Sequence, residues 1–288
     1  MKYNFVSWST FYKDIAAWER QLPEFDAVCG VPRSGLPVAA HIGLRRNIRI
    51  VDLRSLLENP KTCISEASIR NYNPIVHYQK PYGKRLLIVD DCTGVNSDTL
   101  NGLRHQLADV KELEISYAAV YRAASTSKVD FYFRQVSKPR IFEWNWFRHW
   151  GLKNACLDMD GVLCEDWTSH PEQENDELFQ GHIETVPPLY VPDVPFKAIV
   201  TSRLECYREK TEQWLEKHNV KYQTLVMHPA KTPQERRAAG DHAKRKADFY
   251  LKSLDSPLFI ESDVRQAREI RSISNKPVLC IDTMEMFS

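Results

Sequence analysis

The chain has 288 residues, 43% of them hydrophobic and 27% charged, with a net charge of only +1. At roughly 100–200 residues per domain that length predicts two domains, and the balanced charge excludes both an acidic disordered chain and a broadly basic nucleic-acid binder. Any phosphate site must therefore be local. No apolar run approaches the roughly 20 residues that span a bilayer, and the start MKYNFVSWSTFYKD lacks the apolar centre of a secretion signal. The expectation is a cytoplasmic protein with neither membrane nor nucleic acid as partner. Seven cysteines, an odd number without C-x-x-C spacing and mostly in apolar runs, predict buried free thiols.

In chain order, Phe11, Ile15, Trp18 and Leu22 recur at helical spacing after the candidate caps Ser9 and Thr10. Short apolar runs follow at 25–31, 48–53, 85–90 and 114–121, with helix-like segments between several of them. The interval 54–84, with Asn-Pro twice and no clean period, predicts a long loop or small flap. A second series begins at NACLDMDG and continues with strands at 196–203, 224–229, 257–263 and 276–282. Helices are expected at about 205–219, 233–252 and 264–273. The fold class is α/β, two open parallel-sheet domains covering 1–150 and 153–288, joined between Trp150 and Lys153 after the aromatic run FEWNWFRHW.

Open parallel sheets bind ligands beyond the carboxyl ends of their strands. The first such loop holds Pro32, Arg33, Ser34 and Gly35 before a helix. There a glycine lets backbone approach an anion, exposed amides and the helix dipole attract it, and Arg33 adds charge. The second follows RLLIVDD, where Asp90 and Asp91 precede CTGVNSDT and a helix near 99–109. Two carboxylates beside a phosphate cradle are reconciled by sugar hydroxyls and Mg²⁺, and adjacent strand residues point to opposite sides, so the pair is expected to divide its work. The plain alternatives are a strand-to-helix turn and a helix-capping pair. VCGVPRSGLPVA and LLIVDDCTGVNSDTL resemble, in that order, the pyrophosphate loop and the PRPP motif of type I phosphoribosyltransferases. That resemblance implies Arg33, Ser34 and Gly35 on pyrophosphate, Asp90 and Asp91 on the ribose hydroxyls, and Thr93, Gly94, Ser97 and Thr99 on the 5′-phosphate. It also implies a hood from 54–84, and Phe142 and Trp144 facing the base. The run Asn96-Ser97-Asp98-Thr99 departs from the family's usual Ser/Thr-Gly-x-Thr.

In the second half, Asp158 and Asp160 flank Met159 at the end of an apolar run. Residues two apart in an extended segment share a face, so both carboxylates can address one substrate. With an ordinary aspartate pKa near 3.9, Asp158 is an anionic nucleophile at neutral pH, and Asp160 can serve as general acid, then base. An inert turn is the bland alternative. DMDGVL, a strand ending in Thr201, a basic helix and FIESD resemble, in order, the four motifs of the haloacid dehalogenase (HAD) superfamily of phosphatases. The resemblance implies Asp158 forming an aspartyl-phosphate, Thr201 on the phosphoryl group and Lys246 neutralising it. Lys246 is favoured over Lys231 and Lys244 by its 17-residue distance to Asp263. Asp158, Asp160, Glu261 and Asp263 would hold Mg²⁺. The 35 or so residues between Gly161 and the strand at 196 imply a minimal cap, and His170, His182 and His228 are too scattered for zinc.

Together the resemblances imply a bifunctional enzyme. It would join a nucleobase-like ring to PRPP, release pyrophosphate, and dephosphorylate the resulting nucleoside monophosphate to a nucleoside. Mg²⁺ is the implied cofactor, and a homodimer is an expectation of the first family. The alternative from another class is a HAD phosphatase regulated by a non-catalytic PRPP- or nucleotide-binding domain, suggested by the Asn96–Asp98 departure. A third makes the phosphatase act on an unrelated phosphate ester.

Overall fold

The computed structural model describes residues 3–66, 83–94, 98–124, 128–167 and 176–288. The chain forms two compact units: Trp8–Arg140, and Met1–Ser7 together with Ile141–Ser288. The seam thus falls before the aromatic run, ten residues ahead of the expected join at 150. The reason is local. Strand β1 (Asn4–Val6) pairs with β7 (Arg140–Phe142), and Tyr3, Ile141 and Trp146 are buried in the core of the C-terminal unit.

The Trp8–Arg140 unit holds a five-stranded sheet built from β2 (Ala27–Gly30), β3 (Arg49–Val51), β4 (Arg85–Thr93), β5 (Glu114–Arg122) and β6 (Phe131–Gln135). Its order is β3-β2-β4-β5-β6, and every pair is parallel. Helices α1 (Trp8–Glu19) and α2 (Gly35–Arg46) pack on one face. On the other, Leu56 of α3 (Leu53–Glu58), Ile64 of α4 (Cys63–Glu66), and Leu100 and Leu103 of α5 (Asp98–Gln106) close a core over Ala27, Cys29, Leu86 and Ile88. Coverage on both faces explains why these strands read as unbroken apolar runs.

Helix α1 begins at Trp8, so Ser9 and Thr10 lie in its first turn and do not precede it as caps. The interval expected as loop opens helically, because the Asp52 side chain accepts the Ser55 amide proton at 3.0 Å and caps α3. The hood assigned to 54–84 otherwise falls largely on 67–82, outside the described residues.

In the C-terminal unit the sheet order is β10-β9-β8-β11-β12-β13, parallel except for β13. Its strands are β8 (Cys156–Leu157), β9 (Phe196–Leu204), β10 (Tyr222–His228), β11 (Phe259–Glu261), β12 (Val278–Cys280) and β13 (Glu285–Phe287). Alternate residues enter two cores: Leu157, Ile199, Ile260 and Leu279 on one side, Cys156, Ala198, Phe259 and Val278 on the other. The helices are α6 (Asp176–Thr185), α7 (Arg208–Lys217), α8 (Pro233–Ala239), α9 (His242–Lys252) and α10 (Val264–Ser274). The single helix expected at 233–252 is two, since Gly240 turns left-handed (φ 56°) at the end of α8 and its amide closes onto the Arg236 carbonyl. All seven cysteines are free thiols; five are buried and Cys206 is exposed. No helix among the described residues is long and apolar enough to cross a membrane.

Candidate functional site

In the first unit the strand order reverses between β2 and β4, so the loops leaving these two strands lie side by side, where open α/β sheets take ligands. Val31 donates its amide proton to the Val89 carbonyl at 2.8 Å, and Gly35, opening α2, donates to the Val31 carbonyl at 2.9 Å. A Cβ on Gly35 would stand 2.4 Å from the Val89 oxygen. The glycine is thus required first for the loop's approach to β4, before any anion arrives. Arg33 is exposed, and its guanidinium has no partner among the described residues; Ser34 is half-buried and its side chain makes no cap bond. The Pro32–Arg33 peptide bond is cis.

Strand β4 runs three residues beyond its expected end, so Asp90 and Asp91 sit inside it. Asp91 is 4% exposed and Asp90 half-buried, a division in keeping with their alternating directions. Each carboxylate accepts the amide proton of the next residue at 2.8 Å. Burial, then the Asp91 charge, pushes the Asp90 carboxyl up to about 8. At neutral pH Asp90 therefore keeps its proton and can donate as well as accept a hydrogen bond. Thr93 is buried, and Arg140, which the sequence did not mark, holds its carbonyl at 2.8 Å. The Thr93 hydroxyl has no partner among the described residues. Beside Thr93 in register lies Arg122 of β5, its guanidinium 3.7 Å from the Tyr132 ring centre. Gly94 is half-buried and Thr99 is exposed on α5; Ser97 lies outside the described residues. Phe142 and Trp144 stack on each other at 4.8 Å and 6°, and both belong to the C-terminal unit, whereas the Arg33 and Asp90 loops belong to the other.

The second site stands at the switch point of the other sheet, beyond β8, β9 and β11. Asp158, 6% exposed, receives a hydrogen bond from the Lys246 ammonium at 2.6 Å. Lys246 also reaches Glu261 at 2.7 Å and Gln266 at 3.0 Å, which uses all three of its protons. Neither Lys231 nor Lys244 takes this place. Burial opposes the Lys246 charge, but Asp158 and Glu261 more than offset it and hold the ammonium proton above the usual lysine range. Burial pushes the Glu261 carboxyl up to about 8 against the pull of Lys246.

Asp160 has a different partner. Arg203, 1% exposed, donates from Nε to both Asp160 oxygens at 3.0 and 2.9 Å, and from Nη2 at 2.5 Å. Burial works to raise the Asp160 carboxyl, yet the guanidinium prevails and holds it below the usual carboxylate range. Arg203 was missed; it lies two residues after Thr201 near the end of β9, where the pairing with β10 shifts register. The Thr201 hydroxyl oxygen accepts the Arg203 amide proton at 3.1 Å. Gly161 follows at φ 76°, where a Cβ would meet the Ser262 hydroxyl at 2.3 Å, and that hydroxyl donates to the Asp160 carbonyl at 3.3 Å.

These groups border an open cavity of about 330 Å³, lined by Asp158, Asp160, Arg203 and Lys246 together with Trp167 and Phe179. Asp166, Arg236, Arg237 and His242 also line it, and none of the four was singled out in the sequence. Thr201 does not; it borders a separate void of about 10 Å³. His228 is structural, its Nε2 paired with Asp241 at 3.0 Å and its Nδ1 accepting the Ala230 amide proton. His170 lies outside the described residues.

The expected metal set does not fit this arrangement. Among the described residues no group of three or more acids, histidines or cysteines is placed to hold a metal ion. Glu261 is wholly buried against Lys246 and accepts the Ser262 amide proton at 3.0 Å. Asp263 caps α10, accepting the amide protons of Arg265 and Gln266 at 2.8 and 2.9 Å. Asp158 and Asp160 each face a buried cation. Among the described residues each of these carboxylates accepts hydrogen bonds from nitrogen donors, and the four do not form one ligand cluster.

No family model and no curated protein matches the chain. Among solved structures, a xanthine-guanine-hypoxanthine phosphoribosyltransferase from Helicobacter pylori aligns with 50% of this chain and 93% of its own, at 19% identity and a TM-score of 0.36. A purine phosphoribosyltransferase from Pyrococcus horikoshii aligns with 50% and 94%, at 22% identity and 0.35. An orotate phosphoribosyltransferase from Aeropyrum pernix aligns with 44% and 70%, at 15% identity and 0.28.

Proposed function

We propose that the chain is a bifunctional enzyme of nucleotide chemistry: a type I phosphoribosyltransferase unit followed by a HAD-type phosphatase unit. The first joins a nucleobase-like ring to PRPP and releases pyrophosphate; the second removes the 5′-phosphate to give a nucleoside. In the first unit the sugar donor arrives as its Mg²⁺ complex. Arg33 and the amides of the Gly35 turn receive pyrophosphate, Asp90 and Asp91 the ribose diol, and the loop from Thr93 the 5′-phosphate.

In the second unit Asp158 is the nucleophile toward phosphorus, with Lys246 and Arg203 supplying positive charge where the phosphoryl oxygens would sit. As the bond from phosphorus to the 5′-oxygen breaks, the leaving nucleoside oxygen takes a proton from solvent. Asp160, kept anionic by Arg203, then takes the proton from the water that attacks the phosphoenzyme, releasing phosphate and free Asp158. The observation that carries the reading is the gathering of Asp158, Asp160, Arg203 and Lys246 around one cavity at the strand ends. Consecutive steps on one chain would spare the nucleotide a search for a second enzyme.

The test supplies PRPP, Mg²⁺ and a panel of bases to wild type and to Asp158→Asn. Wild type should release pyrophosphate, phosphate and a nucleoside, and the variant should stop at the nucleotide. If Asp158→Asn accumulates no nucleotide from any base that wild type converts, the sequential scheme is wrong.

A further inference from the structure

Resting on the phosphatase reading above, we infer that Trp167 is the specificity element of the C-terminal cavity, a stacking platform that selects phosphate esters whose alcohol carries a heteroaromatic ring. The lining of the cavity is chemically mixed: Asp158, Asp160, Arg203 and Lys246 are ionic, and Trp167 and Phe179 are aromatic. A volume of about 330 Å³ lies at the small end of the roughly 300–1,000 Å³ typical of ligand pockets. It has room for one compact ligand that carries both a phosphate and a ring.

Trp167 is packed among other rings. Its ring meets Phe179 edge-on at 5.6 Å and 83°, and His182 at 5.0 Å and 72°. Phe179 in turn leans on Tyr207 at 5.2 Å, within a core of Ile183, Leu204 and Met227. The indole is only half-buried, while its Nε1 is enclosed without a hydrogen-bond partner among the described residues. The rings around it hold the indole in place while part of its surface stays open toward the cavity. A pentose phosphate offers the cavity only charge and hydroxyls, whereas a nucleoside monophosphate also brings a flat π-face to the indole.

The experiment compares nucleoside 5′-monophosphates with ribose 5-phosphate and glucose 6-phosphate as substrates of wild type, Trp167→Phe and Trp167→Ala. Wild type should favour the nucleotides in kcat/KM. Trp167→Ala should lower the ratio of nucleotide to ribose 5-phosphate by roughly tenfold, the scale of one base–aromatic stack, through KM more than kcat. Trp167→Phe should recover most of that ratio. Equal kcat/KM for nucleotides and sugar phosphates in wild type overturns the platform and leaves the phosphatase standing, as does a Trp167→Ala effect of the same size on every ester. Failure of wild type to hydrolyse any ester overturns the phosphatase reading and the platform with it.

Discussion

The Lys246 ammonium stands 2.6 Å from Oδ2 of Asp158, with both side chains at most 9% exposed. One buried cation therefore serves two acids from different strands, because Glu261 meets the same nitrogen at 2.7 Å. Replacing Lys246 by Met strands two carboxyl groups in a place that cannot solvate them. The expected loss is about 3–5 kcal/mol of unfolding free energy, the usual result of removing one partner of a buried pair. Adding Glu261→Gln to Lys246→Met should restore part of it, because one stranded acid is gone. Denaturant midpoints of the two single variants and the double variant check this; strict additivity would show that the three groups do not act as a unit.

Arg203 and Asp160 form the neighbouring pair, and there the prediction concerns protonation. The guanidinium holds the Asp160 carboxyl low against a burial that would raise it. In Arg203→Gln the restraint disappears while the burial stays, so the carboxyl should titrate above the ordinary aspartate range. If Asp160 works as a base, the acid limb of the phosphatase pH profile moves to higher pH by the same amount, and Arg203→Lys moves it less. Carbon-13 carboxyl titrations read the shift directly. An unmoved Asp160 resonance would place Arg203 outside its electrostatics.

What was readable in the sequence, and what was not, follows from how local each signal is. Asp158 and the Gly35 turn follow directly on β8 and β2, where an apolar run stops and a polar or glycine residue begins, so neighbouring residues mark them. Asp90 lies inside β4 and Lys246 on α9, and those two were marked by the order of the motifs. The pairing of β1 with β7 joins two three-residue strands more than 130 positions apart; such pieces carry no period, and the seam between units was misplaced with them. Arg203 was hidden for another reason. An arginine at the end of a strand usually points to water, and only its partner Asp160, 43 residues away, turns it inward. Glu261 and Asp263 have the residue types of metal ligands, yet one went to a buried ammonium and the other to a helix cap.

The Asp90 carboxyl, raised to about 8 in the fold from 3.8 as a free group, makes stability depend on pH with a definite sign. Between those values the native state binds the extra proton and the unfolded chain does not, so the stabilisation is complete below about pH 4 and lost as pH rises through 8. In Asp90→Asn this slope is absent. The melting temperature of the variant should therefore gain on wild type steadily from pH 4 to pH 8.5, with the gap largest at the alkaline end. A constant gap across that range would mean that Asp90 ionises normally in the native protein.

Gly35 and Ser34 offer a way to separate architecture from ligand contact at the Arg33 turn. A methyl group on Gly35 would intrude to 2.4 Å of the Val89 carbonyl, the same oxygen that receives the Val31 amide proton. Gly35→Ala must push α2 away from β4, at a cost of about 1–3 kcal/mol in the manner of other overpacked sites. It should lose PRPP binding as well, since the amides of the turn move with the helix. The Ser34 side chain makes no cap bond, so Ser34→Ala should stay within about 0.5 kcal/mol of wild type. Any weakening of PRPP binding in that variant then reports a direct contact with the ligand. Calorimetry with PRPP and Mg²⁺, run beside thermal melts of both variants, distinguishes the two effects. Full PRPP affinity in Gly35→Ala would exclude this turn as the pyrophosphate site.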